Sequence, residues 1–314
     1  MKTSPVTTDD LQRSVLSVPP LCRNEDLTIN RDANKVLIRH LEEAGVSTFM
    51  YGGNANFYHV SMGEYPYILD FLSSAVSKDS WVIPAVGPDY GKLMDQAKVL
   101  AQRDFPTAMV LPQVFPKSPR GVEEGIRRFV DAMGKPAIAY IKIDGYLEPD
   151  QVARLVDDKV VCAIKYARVL DDPDHPVDDP YLTELCKLID SDLIISGIGE
   201  RPVITHWNDF GLRAFTSGSV CVAPHASAEL LKALQAGDLD KARELRKLFI
   251  PLEDMRDQYS PLCVLHRAVE LANIADTGVL TPLLSEVVEG ESKNRLEQVA
   301  KALYKLDSEL SSVA

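Results

Sequence analysis

The chain has 314 residues, 46% of them hydrophobic and 25% charged, enough to bury a large core with an ordinary globular composition. Its 34 basic against 46 acidic residues leave a formal charge of −12, which argues against nucleic acid or an anionic membrane as a partner. The opening MKTSPVTTDDLQRSV lacks the basic start, apolar run and cleavage site of a secretory signal, and no stretch approaches a membrane span, so a cytoplasmic protein is expected.

From the N-terminus to about residue 225, short β-branched apolar runs alternate with helical patterns. The expected strands are SVLSVP (14–19), VSTFMYGG (46–53), WVIPAVG (81–87), TAMVLPQ (107–113), PAIAYIK (136–142), VVCAIKYA (160–167), DLIISGIG (192–199) and LRAFTSGS (212–219). Between them lie amphipathic segments such as RDANKVLIRHLEEAG (31–45) and GVEEGIRRFVDAMG (121–134), each ending in the glycine of a helix C-cap. Near-continuous apolar strands alternating with helices predict a parallel sheet covered by helices. Eight such units predict an α/β fold of the (β/α)8 barrel type, with an open doubly wound sheet as the alternative. DDPDHPVDDP (171–180) reads as a proline-punctuated acidic loop after the sixth strand. After residue 225 only helical periodicity remains. The expected organisation is therefore a barrel over 1–225 and a C-terminal helical extension over 226–314.

The five cysteines are odd in number and far apart, with no CxxC or Cys/His metal spacing, so reduced structural thiols are expected and no metal site. No cofactor is expected either. Among the histidines, His59 follows the GGNANFY turn and His206 the seventh strand; packing or surface roles are the plain reading of both.

Chemistry on a barrel of this kind sits at the C-terminal ends of the strands. There the run VVCAIKYARV carries one lysine, Lys165, among apolar residues. Alternation puts it on one face with Val161, Ala163 and Ala167, small companions that leave room for an inward-pointing amine. Desolvation there would lower its pKa and expose the nucleophilic free base. An outward lysine under a helix, or a buried ion-pair partner, is the competing reading, and the pattern alone leaves both open. Tyr140 lies on the neighbouring fifth strand, and Lys142 shares its face near the rim. The glycines of MYGGNANF can bring backbone N–H groups close to a carboxylate, although ordinary turn chemistry is the plainer explanation of them taken alone. SGIGERP and TSGS could cradle phosphate, or merely turn the chain.

Taken together, HLEEAGVSTFMYGGNANF, AVG at strand three, Tyr140, AIKYA at strand six, SGIGE at strand seven and FTSGSVCVAP at strand eight resemble the dihydrodipicolinate synthase and N-acetylneuraminate lyase superfamily of Schiff-base-forming barrels. The resemblance spans nearly the whole chain through its order and spacing. It implies that Lys165 condenses with the ketone of a pyruvate-like 2-oxo acid and that Tyr140 moves protons at the Schiff base. It further implies that Gly52, Gly53 and Asn54 hold the carboxylate. Ser217 and Gly218 would shape its surroundings, and Lys142 and Asn56 would meet the distal part of the substrate. A homodimer or homotetramer is implied as well.

The departures narrow the function. Family members usually carry GTTGE after strand two, whereas this chain has GGNAN, which puts a hydroxyl relay in doubt; GG followed by Phe57 is closer to the GGTGEF form of 5-dehydro-4-deoxyglucarate dehydratases. IKIDGYLEP lacks the arginine that would bind a second substrate's carboxylate, and LPQVFPKSP lacks the paired tyrosines of the synthases. Dihydrodipicolinate synthesis is thus disfavoured. The expectation is an aldolase or dehydratase for a 2-oxo acid, pyruvate-like or sugar-derived. The alternatives are a catalytically silent, metabolite-binding member and a lyase for a phosphorylated substrate.

Overall fold

The computed structural model describes residues 1–170, 172, 174, 178–284 and 288–311. The expected acidic loop at 171–180 thus lies partly outside the described residues. A short capped helix, α1 (Thr8–Gln12), leads into β1 (Leu16–Ser17), where Pro19 and Pro20 end the ladder almost at once. Then follow α2 (Arg31–Glu43), β2 (Thr48–Tyr51), α3 (Tyr65–Ala75), β3 (Trp81–Val86), α4 (Tyr90–Ala101) and β4 (Met109–Val110). The second half continues with α5 (Pro119–Met133), β5 (Ala137–Ile141), α6 (Pro149–Asp157), β6 (Val161–Tyr166), α7 (Pro180–Leu188), β7 (Ile194–Ser196), α8 (Val203–Asn208) and β8 (Ala214–Ser217). All eight strands are parallel, and β1 pairs with both β2 and β8, so the sheet closes into a (β/α)8 barrel.

Local chemistry explains the boundaries. Asn30, Ser118 and Asp179 cap α2, α5 and α7 by accepting backbone N–H bonds, and Gly134 ends α5 at a φ of 75°. The expected seventh strand begins late because the Asp190 side chain accepts from Asp192 N–H and winds residues 191–193 into a 3-10 turn.

Beyond β8, α9 (Pro224–Gln235) stands in the position each earlier helix takes after its strand. It is the eighth barrel helix, so the boundary expected at 225 falls one helix early. The appended layer consists of α10 (Leu239–Gln258), α11 (Pro261–Leu271) and α12 (Gly290–Ser311). Helix α10 packs on α9, α11 and α12. Leu245, Phe249, Leu252 and Met255 recur at helical spacing and are buried, which fixes which face of α10 meets the protein. No described helix is long and apolar enough to cross a membrane.

Phe249 is fully buried on the face of α10 that anchors this layer. The substitution Phe249→Ala should lower unfolding stability by about 3–5 kcal/mol, read as a lower denaturant midpoint.

Candidate active site

Strands β5 and β6 pair so that Tyr140 lies directly beside Lys165, and the Lys165 ammonium nitrogen sits 4.5 Å from the centre of the Tyr140 ring. Lys165 is only 6% exposed. Its aliphatic stem is accommodated by the next strand's loop: a Cβ on Gly197 would lie 3.0 Å from Lys165 Cγ and 2.6 Å from the Tyr166 carbonyl oxygen. A cavity of about 210 Å³ opens at this point, at the C-terminal end of the barrel. Larger grooves of about 620, 610 and 380 Å³ are lined by other residues and do not include the lysine.

Burial dominates the electrostatics. Desolvation first, then the positive charges of Lys142 and Arg256, bring the Lys165 pKa down to about 7. A substantial fraction of the amine is therefore unprotonated at neutral pH. Burial pushes the Tyr140 phenol above its ordinary range, with the nearby Tyr58 adding to the shift, so it stays protonated and starts as a proton donor. Lys142 lines the same cavity at an exposed position, yet desolvation by its surroundings lowers its pKa as well.

Gly52, Gly53, Asn54 and Gly218 also line the cavity. The turn after β2 is held by bonds from Asn56 N–H to the Gly53 carbonyl (2.8 Å) and from Phe57 N–H to the Gly52 carbonyl (3.1 Å). The Asn54 side-chain amide donates to the Val18 carbonyl at 2.9 Å, tying the turn to the end of β1. Two expected site residues are not brought to the cavity. Asn56 takes a left-handed conformation, φ 59°, as asparagine tolerates, and its side chain is fully buried away from the lining. Ser217 stands between Thr216 and Gly218, both of which line the cavity. Strand alternation turns it to the other face, where its hydroxyl donates to Glu200 Oε1 at 2.5 Å and accepts from Val220 N–H.

The structure adds residues that the strand ends did not reveal. Glu253, Arg256 and Asp257 of α10 close one wall of the cavity, with Pro261 and Leu262 at the start of α11. Arg256 Nη1 donates to both Glu253 oxygens, at 2.8 and 3.0 Å, and the Ser219 hydroxyl donates to Glu253 as well. A signal was present: Glu253 and Arg256 fall at helical spacing on the apolar stripe of α10, where charged residues are out of place. Deeper still, Glu200 is fully buried and receives the hydroxyls of Ser217 and Ser227; burial first, then the Glu253 charge, push its carboxyl upward.

SGIGERP does not make a phosphate cradle. Arg201 is committed to Asp174, Asp254 and Asp257, and a Cβ on Gly199 would lie 3.3 Å from Glu253 Oε2, so a carboxylate already occupies that side of the loop. His206 is buried, with Nδ1 2.7 Å from the Ser196 hydroxyl and its ring edge-on to Tyr166 and Phe210, a core residue. His59 is exposed. Among the described residues no three His, Cys, Asp or Glu side chains converge as a metal site would need.

The depressed lysine carries a stability consequence. The unfolded chain keeps the Lys165 proton up to the ordinary lysine range, whereas the folded chain releases it near pH 7, so between those values stability rises with pH. Below about pH 7 the folded state bears the full cost of burying the cation. Lys165→Met should therefore be more stable than the parent by on the order of a few kcal/mol at pH 6, with the gap closing toward pH 10. Urea midpoints at pH 6, 8 and 9.5 read this directly; a gap that stays constant or widens with pH would contradict it.

The profile of the Dihydrodipicolinate synthetase family matches residues 13–303. Among solved structures, dihydrodipicolinate synthase from Oceanobacillus iheyensis superposes with a TM-score of 0.83 at 20% identity, covering 95% of this chain and 98% of that one. A sialic acid aldolase from Ruminococcus gnavus superposes at 0.82 with 13% identity, over 95% and 99% of the two chains. YagE, a prophage protein of the dihydrodipicolinic acid synthase family from E. coli K12 solved in complex with pyruvate, superposes at 0.79 with 19% identity, over 92% and 98%. These likenesses concern the fold. The comparison with curated proteins returned no match. With the profile spanning all eight strands and most of the C-terminal layer, the chain belongs to the dihydrodipicolinate synthetase family.

Proposed function

We propose that the chain is a Schiff-base-forming lyase that acts on a small 2-oxo acid, as an aldolase or a dehydratase. The observation that carries this reading is the Lys165 amine, buried against the Tyr140 ring with its pKa brought down to about 7. Such an amine attacks the C2 ketone; the carbonyl oxygen takes up two protons and leaves as water, giving an iminium. The iminium accepts the electron pair of the bond that breaks next to C3. In the aldol direction the C3–C4 bond breaks, the C4 hydroxyl loses its proton to become an aldehyde, and an enamine remains. Protonation at C3 and hydrolysis then release the 2-oxo acid and restore the amine. In a dehydration the C4 hydroxyl departs as water after C3 gives up a proton.

Tyr140 supplies the proton for the departing carbonyl oxygen, since burial keeps its phenol protonated until that moment. The backbone N–H groups of Gly53 and Asn54 face the acid end of the substrate, and Lys142 meets the distal end at the mouth. Asn56 and Ser217 take no part. The distal group and the aldehyde belong to the loops, which vary freely on this barrel.

One observation favours a second reading, a metabolite-binding member without turnover. The Asn54 amide is spent on the Val18 carbonyl, so this side chain cannot carry a proton away from Tyr140 as a hydroxyl would.

Incubation with pyruvate and borohydride, followed by peptide mass spectrometry, should place a reduced adduct on Lys165. An adduct on Lys142 would reassign the nucleophile, and no adduct from pyruvate or larger 2-oxo acids would remove the Schiff-base reading. Among 2-oxo acids that are turned over, Tyr140→Phe should lower kcat by roughly 10²–10⁴-fold. Trapping without turnover of any 2-oxo acid would select the binding reading.

A further inference from the structure

We infer that Arg256 recognises the substrate's C1 carboxylate, and that Glu253 is the positioning residue that aims it. This inference deepens the Lys165 reading and rests on it. Helix α10 lies outside the eight β/α units, yet it delivers Arg256 to the cavity that holds Lys165, with only 8% of the residue exposed.

The guanidinium is fixed on two of its three nitrogens. Nη1 donates to both oxygens of Glu253, at 2.8 and 3.0 Å, and Nε points to the Pro261 carbonyl at 3.4 Å. Glu253 is fixed in turn by the Ser219 hydroxyl. The third nitrogen, Nη2, lies over Gly218: a Cβ there would be 3.0 Å from Arg256 Nη2 and 3.1 Å from the Asn54 amide nitrogen. The glycine of TSGS thus makes room for a side chain of the same protein.

Arg256 Nη2 and the GGN turn meet at the ends of β8 and β2, on the cavity wall across from Tyr140 of β5 and Lys142 just beyond its end. A charge-bearing donor held in one orientation beside backbone donors suits the planar oxygens of a carboxylate. With the acid end there and C2 at Lys165, the rest of the substrate runs toward Lys142. The substrate class is accordingly a 2-oxo compound with a free C1 carboxylate, rather than an ester, amide or simple ketone. The arginine would supply recognition that the altered GGNAN turn, lacking its hydroxyl residues, does not.

The test titrates borohydride trapping of Lys165 with pyruvate and, separately, with methyl pyruvate, in the parent protein, Arg256→Lys, Gly218→Ala and the double variant Glu253→Gln/Arg256→Gln. The double variant removes both charges instead of stranding one in the interior. The pyruvate concentration for half-maximal trapping should rise roughly 10- to 100-fold in the double variant, and the methyl pyruvate value by less than about threefold. Arg256→Lys should recover part of the loss, and Gly218→Ala should reproduce it by pressing a methyl group against the guanidinium. An equal rise for acid and ester would reduce Arg256 to a structural role and overturn the inference, as would an unchanged pyruvate titration. If neither compound is trapped by the parent protein, the Schiff-base reading fails by itself. Calorimetric binding of lactate then decides about Arg256: binding lost in the double variant upholds it, and binding unchanged, or absent from the parent, overturns it.

Discussion

An amine in a dry place governs this molecule. Lys165 sits in a largely apolar strand, and among the described residues it meets the face of the Tyr140 ring and the charges of Lys142 and Arg256 rather than a carboxylate. A cation is stabilised poorly there, and the free base is what remains. The surrounding arrangement follows from accommodating that side chain. Gly197 surrenders its Cβ to the lysine stem, Tyr140 lies flat beside the amine, and Ala163 and Ala167 keep the face small. Burying an amine in this way works against stability at neutral and lower pH.

The second layer of the design is ionic, and it comes from outside the barrel. Glu200, Glu253 and Arg256 are buried together with three serine hydroxyls, linking the loops after β7 and β8 to α10. Glu253 holds Arg256 directly, whereas Glu200 receives the hydroxyls of Ser217 and Ser227. Burial first, then the Glu253 charge, push the Glu200 carboxyl upward, and the glycines after β7 and β8 face side chains of their own chain.

Much of this was legible in the sequence. Eight apolar runs of β-branched residues, separated by amphipathic segments, specify the parallel barrel, because strands buried on both faces need no polar alternation. Lys165 stood out for the same reason: a charge in such a run has no solvated face to turn to. The errors have equally local causes. Ser217 was grouped with Gly218 as one motif, but adjacent strand residues point to opposite faces, and the inward place belongs to Thr216. Asn56, expected to meet the distal part of the substrate, is instead buried by a left-handed turn. Arg256 and Glu253 lie on a helix beyond the strand ends, and their trace in the sequence is a pair of charges on the apolar stripe of α10.

The order of the elements along the chain has a consequence for assembly. Every strand precedes residue 218, and β8 pairs with β1 to close the ring, whereas Glu253 and Arg256 belong to a helix synthesised afterwards. The ring can therefore close around Lys165 while the cavity still lacks a wall, and the last helices act as a cap that completes the pocket. The appended helices pack on α9 of the barrel as well as on the cavity rim, so the cavity wall they supply is one part of a wider contact. Substitutions along the α10 face that overlooks the cavity can alter what the pocket accepts while leaving the strand carrying the amine untouched.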